Sequence, residues 1–361
     1  MTNRCGEHVC LHEETRPSLA RVFHPVSRDL QAAQERLAAT LTDTQNPSVR
    51  EIVDFLLESP GKRIRPALVL LSARAACGRS NDSSETRRSS IDMAAAMEII
   101  HMASLVHDDL VDNAAIRHHR SSVHVRWSKR IAVKAGDYLC AKAFRLVADC
   151  ADPRLFAILG SQLCEMCHGE IQQVVVRGDF RLSESHCLAV VEKKTAALFG
   201  ACCGAGAVTA MGEPATCHAL QDFGRHFGIA FQILDDCKDL VSDQEGLGKM
   251  PGQDLLAGDV TLPLLYAIGY GCRRSEGPRQ LSQRPIHGLE LARINEAFHS
   301  SPAPARIAEL IVSYVDRAKQ AIRSIGDSDF KDSLHQLADD VAVSASRILV
   351  GAAHGGPDVP N

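Results

Sequence analysis

The sequence carries one acidic spacing twice. Residues 107–120 read HDDLVDNAAIRHHR and residues 231–240 read FQILDDCKDL, so a D-D-x-x-D motif follows an apolar run in each. Apolar residues recurring every three to four positions predict a helix with one side in a core. On such helices Asp108 and Asp112, like Asp235 and Asp239, lie four residues apart and share a face, while Asp109 and Asp236 follow the first acid of each motif. Like charges at that spacing cost about 0.2–0.5 kcal/mol on a helix surface. A chain that accepts this cost twice, beside helical runs that should be buried, is expected to hold cations between two facing helices. Carboxylate oxygens suit Mg²⁺, which takes one or two protein carboxylates and completes its shell with water and phosphate oxygens.

The rest of the chain also reads as helices. Aromatic residues make up 4%, with a single Trp, too few for strands that lean on aromatic and β-branched pairs. Leu30, Ala33, Leu37 and Leu41 set a helical spacing from Ser27. A second helix is expected from Ser48, with Ser48 as cap, Glu51 as its reciprocal partner and Pro60-Gly61 as its stop. Further helices are predicted over 67–77, 91–110, 123–150, 153–176, 183–211, 214–240, 262–269, 289–298, 305–325 and 330–349. No long period-two run and no solenoid repeat occurs, so one all-α domain is expected over 27–350. Residues 1–26 read as a disordered leader, 271–287 as a long loop and 351–361 as a frayed tail.

Lys+Arg 40 against Asp+Glu 44 gives a net charge of −4. No global basic field exists to attract nucleic acid, and any polyanionic ligand must be held by local charge. The apolar stretches are broken short of the ~20 residues of a membrane span, so no transmembrane segment is predicted. Acids and His fill the N-terminal stretch where a secretory signal needs an apolar core, and a cytoplasmic location is expected. The 13 cysteines, an odd number spread along the chain, read as reduced core thiols. Cys5, Cys10, His8 and His12 lack the paired spacing of a structural zinc site, and Cys164 and Cys167 fall in an apolar helical run.

Cations accompany the acidic motifs. Lys62 and Arg65 sit in GKRIRP, Arg117 and Arg120 follow the first motif, Lys193 and Lys194 precede Thr195, and Lys249 lies in a Gly-bounded loop. Their grouping in a net-negative chain favours a diphosphate ligand. No P-loop or Rossmann fingerprint offers another way to hold phosphates. In this order the motifs resemble the trans-isoprenyl diphosphate synthases, or polyprenyl synthetases, over about residues 32–349. Further matches are Glu98 and His101 in EIIHMASLVHDD, GDY at 136–138, Glu170 and Gln173 in GEIQQ, KTAALF at 194–199 and GKMPGQDLLAGDVTLP at 248–263.

The resemblance implies a bundle of antiparallel helices around a deep central cavity, usually as a homodimer. It implies an enzyme that condenses isopentenyl diphosphate with an allylic diphosphate, head to tail, and a cluster of three Mg²⁺ ions bound with substrate diphosphate. Asp108, Asp112 and Asp235 would be the metal ligands, with Asp109, Asp236 and Asp239 beside them. Arg117, Lys194 and Lys249 would neutralise the leaving diphosphate, with Thr195 and Gln232 as further substrate contacts. Lys62, Arg65 and His101 would hold isopentenyl diphosphate.

Two positions depart from the family pattern. His118 replaces the second Arg after the first motif, and Asp259 stands where many members carry Lys. His is charged only near or below pH 6.5, so weaker binding of isopentenyl diphosphate is expected unless Arg120 substitutes. A weakly active or non-catalytic partner subunit is the alternative these departures leave open. Ala103 and Ser104 lie about a turn before Asp108, where family members that stop at short products often carry Phe or Tyr. Their small size, with the resemblance, implies a tunnel that runs past the length of a farnesyl chain, unless Phe144 closes it lower down.

Overall fold

Residues 197–209, ALFGACCGAGAVT, have no polar face, and a helix without one must be surrounded by others. The computed structural model describes residues 19–58, 61–77, 83–117, 120–241, 252–271 and 288–349, and every residue of this stretch is buried in it.

The helices in chain order are α1 (Leu19–Val22), α2 (Ser27–Thr42), α3 (Pro47–Leu57), α4 (Ile64–Ala76) and α5 (Ser84–Val111). After a hairpin come α6 (Val123–Arg126), α7 (Lys129–Asp149), α8 (Pro153–Val175) and α9 (Glu184–Val191). A π turn (Glu192–Ala196) joins α9 to α10 (Ala197–Thr209), and α11 (Pro214–Val241) follows. The last are α12 (Gln253–Ala257), α13 (Leu262–Gly271), α14 (Gly288–His299), α15 (Ala303–Ala321) and α16 (Asp329–Leu349). Among the described residues the only strands are Ile116–Arg117 and Arg120–Ser121, paired antiparallel with Ile116 opposite Ser121.

Helix α10 packs against α4, α5, α8 and α11, so the two helices that end in acidic motifs flank one central rod. Helix α5 has the length and composition of a membrane span, yet 67% of its most apolar window is buried inside the fold. A core helix between α4, α7 and α10 needs that composition for packing alone.

The elements depart from the sequence reading in places, each for a local reason. Packing already includes residues before Ser27, because Val22, Phe23 and Val26 bury their side chains in the core. Helix α3 is capped by Asn46, whose side chain accepts from the Ser48 and Val49 amides, and Pro47 rather than Ser48 opens it. Helix α5 starts at Ser84, seven residues before the predicted start, because Ser83 accepts from the Thr86 amide. The predicted helix 123–150 breaks at Trp127, and Ser128 caps a new one by accepting from Ile131. Cys187, Cys202, Cys203 and Cys237 are buried free thiols as expected, but Cys164 and Cys167 are exposed. The Cys5–His12 cluster, the tail and residues 272–287 of the expected loop lie outside the described residues.

The Asn46 cap has a direct test. Asn46→Ala should lower unfolding stability by about 1 kcal/mol, read from the urea midpoint, whereas Ser48→Ala should leave it within about 0.5 kcal/mol.

Candidate active site

Both acidic motifs stand at the carbonyl ends of their helices, α5 ending at Val111 and α11 at Val241. A helix C-terminus carries partial negative charge, so carboxylates there are repelled by their own backbone as well as by one another. The first motif is answered by cations. Buried Asp109 accepts from Arg117 Nε at 2.6 Å. Asp112, the residue after α5, accepts from Arg177, which also donates from Nε to Asp259 at 2.7 Å. Lys194 Nζ lies 2.7 Å from Glu170 Oε1 and donates to Gln173 Oε1 at 2.8 Å.

Lys194 reaches this place through the π turn. The wider turn re-aims the side chains of Lys194 and Thr195 within an otherwise continuous helix. Helix α8 approaches it closely because Gly169 has no side chain; a Cβ there would stand 2.6 Å from the Lys194 amide nitrogen. Thr195 donates to Gln232 Oε1 at 3.1 Å, and Gln232 Nε2 donates to Asp236 Oδ1 at 2.7 Å. Asp239 accepts from the Asp254 amide at 3.1 Å and so holds the start of α12. Asp235 is exposed.

The charges are strongly perturbed. Burial pushes the Asp108 carboxyl up to about 7 against the pull of Lys194, with Glu170 and Asp112 adding to the rise. Burial also raises Asp109 despite Arg117, and raises Asp236 well above the carboxylate range, where Asp254 adds to it. Burial works against the Lys194 charge, yet Asp108, Glu170 and Asp112 outweigh it and hold the ammonium. Shifts of this kind, with named charge partners in a cleft, mark sites where charge is handled.

Two clefts of about 740 Å³ each open around the end of α5. One carries Arg63, His101, Arg117 and Arg120 against Glu98 and Asp109, a cationic excess, together with apolar side chains that include Phe55, Leu105 and Val106. The other is lined by Asp112, Gln173, Lys194, Thr195, Gln232, Asp236, Asp254 and Asp259. Asp109 faces the first and Asp112 the second.

The predicted residues divide between these clefts. Asp112, Lys194, Thr195, Gln232 and Asp236 meet on the carboxylate cleft. Asp108 is half-buried within electrostatic reach of Lys194. Arg117, expected with Lys194, instead lines the cationic cleft with His101, because its ion pair with Asp109 turns it there. Lys62 is exposed next to Gly61 at that cleft. Arg65 lines neither cleft. Its guanidinium lies over the Phe199 ring, 4.6 Å from the centroid, within electrostatic reach of Glu98 and Asp235. Arg63 lines the cationic cleft instead, ion-paired to Glu98 at 2.6 Å, from a backbone with φ of 55° just before α4. Arg120 is drawn to the rim by Glu58 at 2.5 Å and lies over the Phe55 ring. Ala103 is buried on α5, half-buried Ser104 donates its hydroxyl to the His101 carbonyl, and neither lines a cleft. Phe144 is exposed on α7, so it is no tunnel floor within this chain. His118 and Lys249 lie outside the described residues.

Sequence reasoning missed Arg63 and Arg177. The first lay in plain view inside GKRIRP, but only the left-handed backbone at that residue decides which Arg reaches the cleft. The second lies 65 residues from Asp112, and no local pattern announces the pair.

Among the described residues no three carboxylates or other metal-binding side chains stand close enough to enclose an ion. Asp108 and Asp112 on one helix end and Asp235 on another are incomplete sets. That donor chemistry fits Mg²⁺, whose shell is finished by water and phosphate rather than by an all-protein cage.

Residues 46–283 match the polyprenyl synthetase family model. The chain belongs to the polyprenyl synthetase family. This polyprenyl synthetase is 34% identical over 320 residues to heptaprenyl diphosphate synthase component 2 of Geobacillus stearothermophilus, covering 89% of this chain and 97% of that one. It is 32% identical over 315 residues to octaprenyl diphosphate synthase of Haemophilus influenzae, covering 86% and 92%. The crystal structure of a polyprenyl synthase from Caulobacter crescentus CB15, complexed with calcium and isoprenyl diphosphate, superposes with a TM-score of 0.84. It is 32% identical, covering 92% of this chain and 99% of that one. The all-α isoprenoid synthase fold and membership of a prenyltransferase enzyme family follow.

The raised Asp108 carboxyl predicts how the metal-free protein responds to pH. The folded chain holds this proton up to about pH 7, and the unfolded chain releases it near 4. Folding therefore takes up a proton between those values, and the Asp108 contribution to stability falls as pH rises through that window. Asp108→Asn should raise the melting temperature by roughly 2–6 °C at pH 8, with the gain shrinking to none by pH 4, read by calorimetry without metal.

Proposed function

We propose that the protein is a Mg²⁺-dependent trans-polyprenyl diphosphate synthase that adds isopentenyl diphosphate to an allylic diphosphate, giving products longer than farnesyl. The observation that carries this reading is the pairing of a cationic cleft with a carboxylate cleft at the end of α5. Two diphosphates are needed in the reaction, and only the leaving one needs metal.

Asp108, Asp112 and Asp235 would hold the metal, which when bound neutralises charge on the departing diphosphate. Calcium with isoprenyl diphosphate in the Caulobacter protein supports a divalent ion in this role. Lys194, held charged by its acidic neighbours, stabilises the same charge as it develops, and Thr195 and Gln232 fix the wall beside it. Arg63, His101, Arg117 and Arg120 bind the second diphosphate without metal, with Lys62 at the rim. The apolar wall at Phe55, Leu105 and Val106 keeps water from an allylic cation. The alkene attacks that cation, and a proton is lost to the released diphosphate.

The relatives' names, heptaprenyl and octaprenyl, support a long product. A homodimer is proposed from the outer face of α8. Phe156, Cys164, Cys167, Ile171 and Val175 run along one exposed side of α8, Ile171 and Val175 with 63% and 76% of their surface free. A row of that kind on a helix suits burial by a second copy. Sedimentation velocity at micromolar concentration should return twice the chain mass; a monomer there counts against it.

A second reading rests on the word "component" in the Geobacillus relative's name. The chain would then need a partner subunit for activity. Incubating the isolated protein with labelled isopentenyl diphosphate and each short allylic diphosphate, then sizing the products, separates the two. Long labelled chains from this protein alone, lost by several orders of magnitude in Asp235→Ala, are expected; no product without a partner favours the second reading.

Product length has its own test. Ser104→Phe should shorten the product by one or more isoprene units, whereas Ala103→Phe should chiefly destabilise the core it would overpack, by about 1–3 kcal/mol. Unchanged product lengths in Ser104→Phe would remove that residue from control of length.

A further inference from the structure

Arg177 joins two carboxylates that the proposed chemistry treats differently. Its Nε donates to Asp259 Oδ1 at 2.7 Å and its Nη2 to Asp259 Oδ2 at 3.3 Å, a forked grip on one carboxylate. The same Nη2 donates to Asp112 Oδ1, the carboxylate that ends the first acidic motif. Asp259 is almost wholly buried, while Arg177 and Asp112 are each about a quarter exposed; both carboxylates line the carboxylate cleft. Burial opposes the guanidinium charge, but the bonds to Asp259 and Asp112 hold it above its ordinary range.

The backbone fixes this grip. The Gly178 amide donates to the Gly258 carbonyl at 2.8 Å, and both glycines have positive φ, 75° and 81°. The Asp259 amide donates to Asp254, and the Asp254 amide to the Asp239 carboxylate of the second motif. The end of α8 and the turn after α12 are thus tied together, and Arg177 is tied from there to the end of α5. The forked contact belongs to this rigid pair of turns. The contact to Asp112 is a single bond to the end of α5.

We propose that Arg177 is a positioning residue that occupies Asp112 in the metal-free protein and passes to the substrate diphosphate when the metal arrives, with Asp259 as its permanent anchor. The inference rests on the reading of this cleft as the seat of a metal-bound diphosphate. With Oδ1 of Asp112 bonded to a guanidinium, a cation arriving alone meets a carboxylate whose charge is already partly neutralised and a positive group beside it. Metal arriving with diphosphate offers the guanidinium a new acceptor, and the exchange then costs little. Asp259, in place of a lysine, supplies no charge to the diphosphate itself but delivers that of Arg177. Metal binding thereby becomes dependent on diphosphate.

The test measures Mn²⁺ binding by electron paramagnetic resonance, with and without inorganic diphosphate, for the wild type, Arg177→Gln and Arg177→Lys. Arg177→Gln should bind Mn²⁺ alone more tightly and Mn²⁺ with diphosphate more weakly, each by on the order of tenfold. Arg177→Lys, which keeps the charge but not the fork, should fall between the two and covers the case in which the Gln variant fails to fold. A residue that only supports the fold would weaken both kinds of binding together, and such parallel losses, or no change in either, overturn the inference. Failure of the wild type to bind Mn²⁺ with diphosphate overturns the functional reading, and the inference with it.

Discussion

Charge repulsion at the ends of two helices is the constraint on which this molecule turns. Helices α5 and α11 each bring their acids to the carbonyl end, where the helix field is already negative. Burial then raises the cost by removing water. The fold meets it with a cation or a hydrogen-bond donor for most of these acids: Arg117 for Asp109, Arg177 for Asp112, Lys194 for Asp108, Gln232 for Asp236 and the α12 amide for Asp239. Asp235 alone among the six is left exposed. The layout of the clefts follows from where those partners had to come from.

The motifs themselves were legible because each is local. Four-residue spacing on a helix, an apolar run before it and a basic cluster nearby can all be read from neighbours in the chain. The residues that answer the motifs were legible only in part. Lys194 stood out beside Thr195, but its aim depends on a π turn that no spacing predicts. GKRIRP shows two arginines, and a single left-handed residue sends one to the cleft and the other onto Phe199. Arg117 is expected beside Lys194 from its place after the motif, and only its ion pair with Asp109 shows that it stands with His101. Asp259 looked like a loss of positive charge until its pairing with Arg177 was in view.

Helix boundaries failed where a short polar residue changed role. Asn46, Ser83 and Ser128 cap helices that periodicity alone started elsewhere. Periodicity reports the buried face of a helix, whereas caps are set at residues with no face to bury, so the two signals can disagree by several positions. The central helix shows the opposite limit. With no polar side it gives no phase to read, and only its neighbours define where it sits.

The π turn between α9 and α10 has a consequence for how the rod as a whole is used. A regular α-helix fixes the angle between any two of its side chains, so a rod serving both a site and a core would have to satisfy both with one rotational phase. One extra residue in a turn resets that phase. The segment before it can be tuned to the cleft and the segment after it to the packing of its neighbours, without either dictating the sequence of the other.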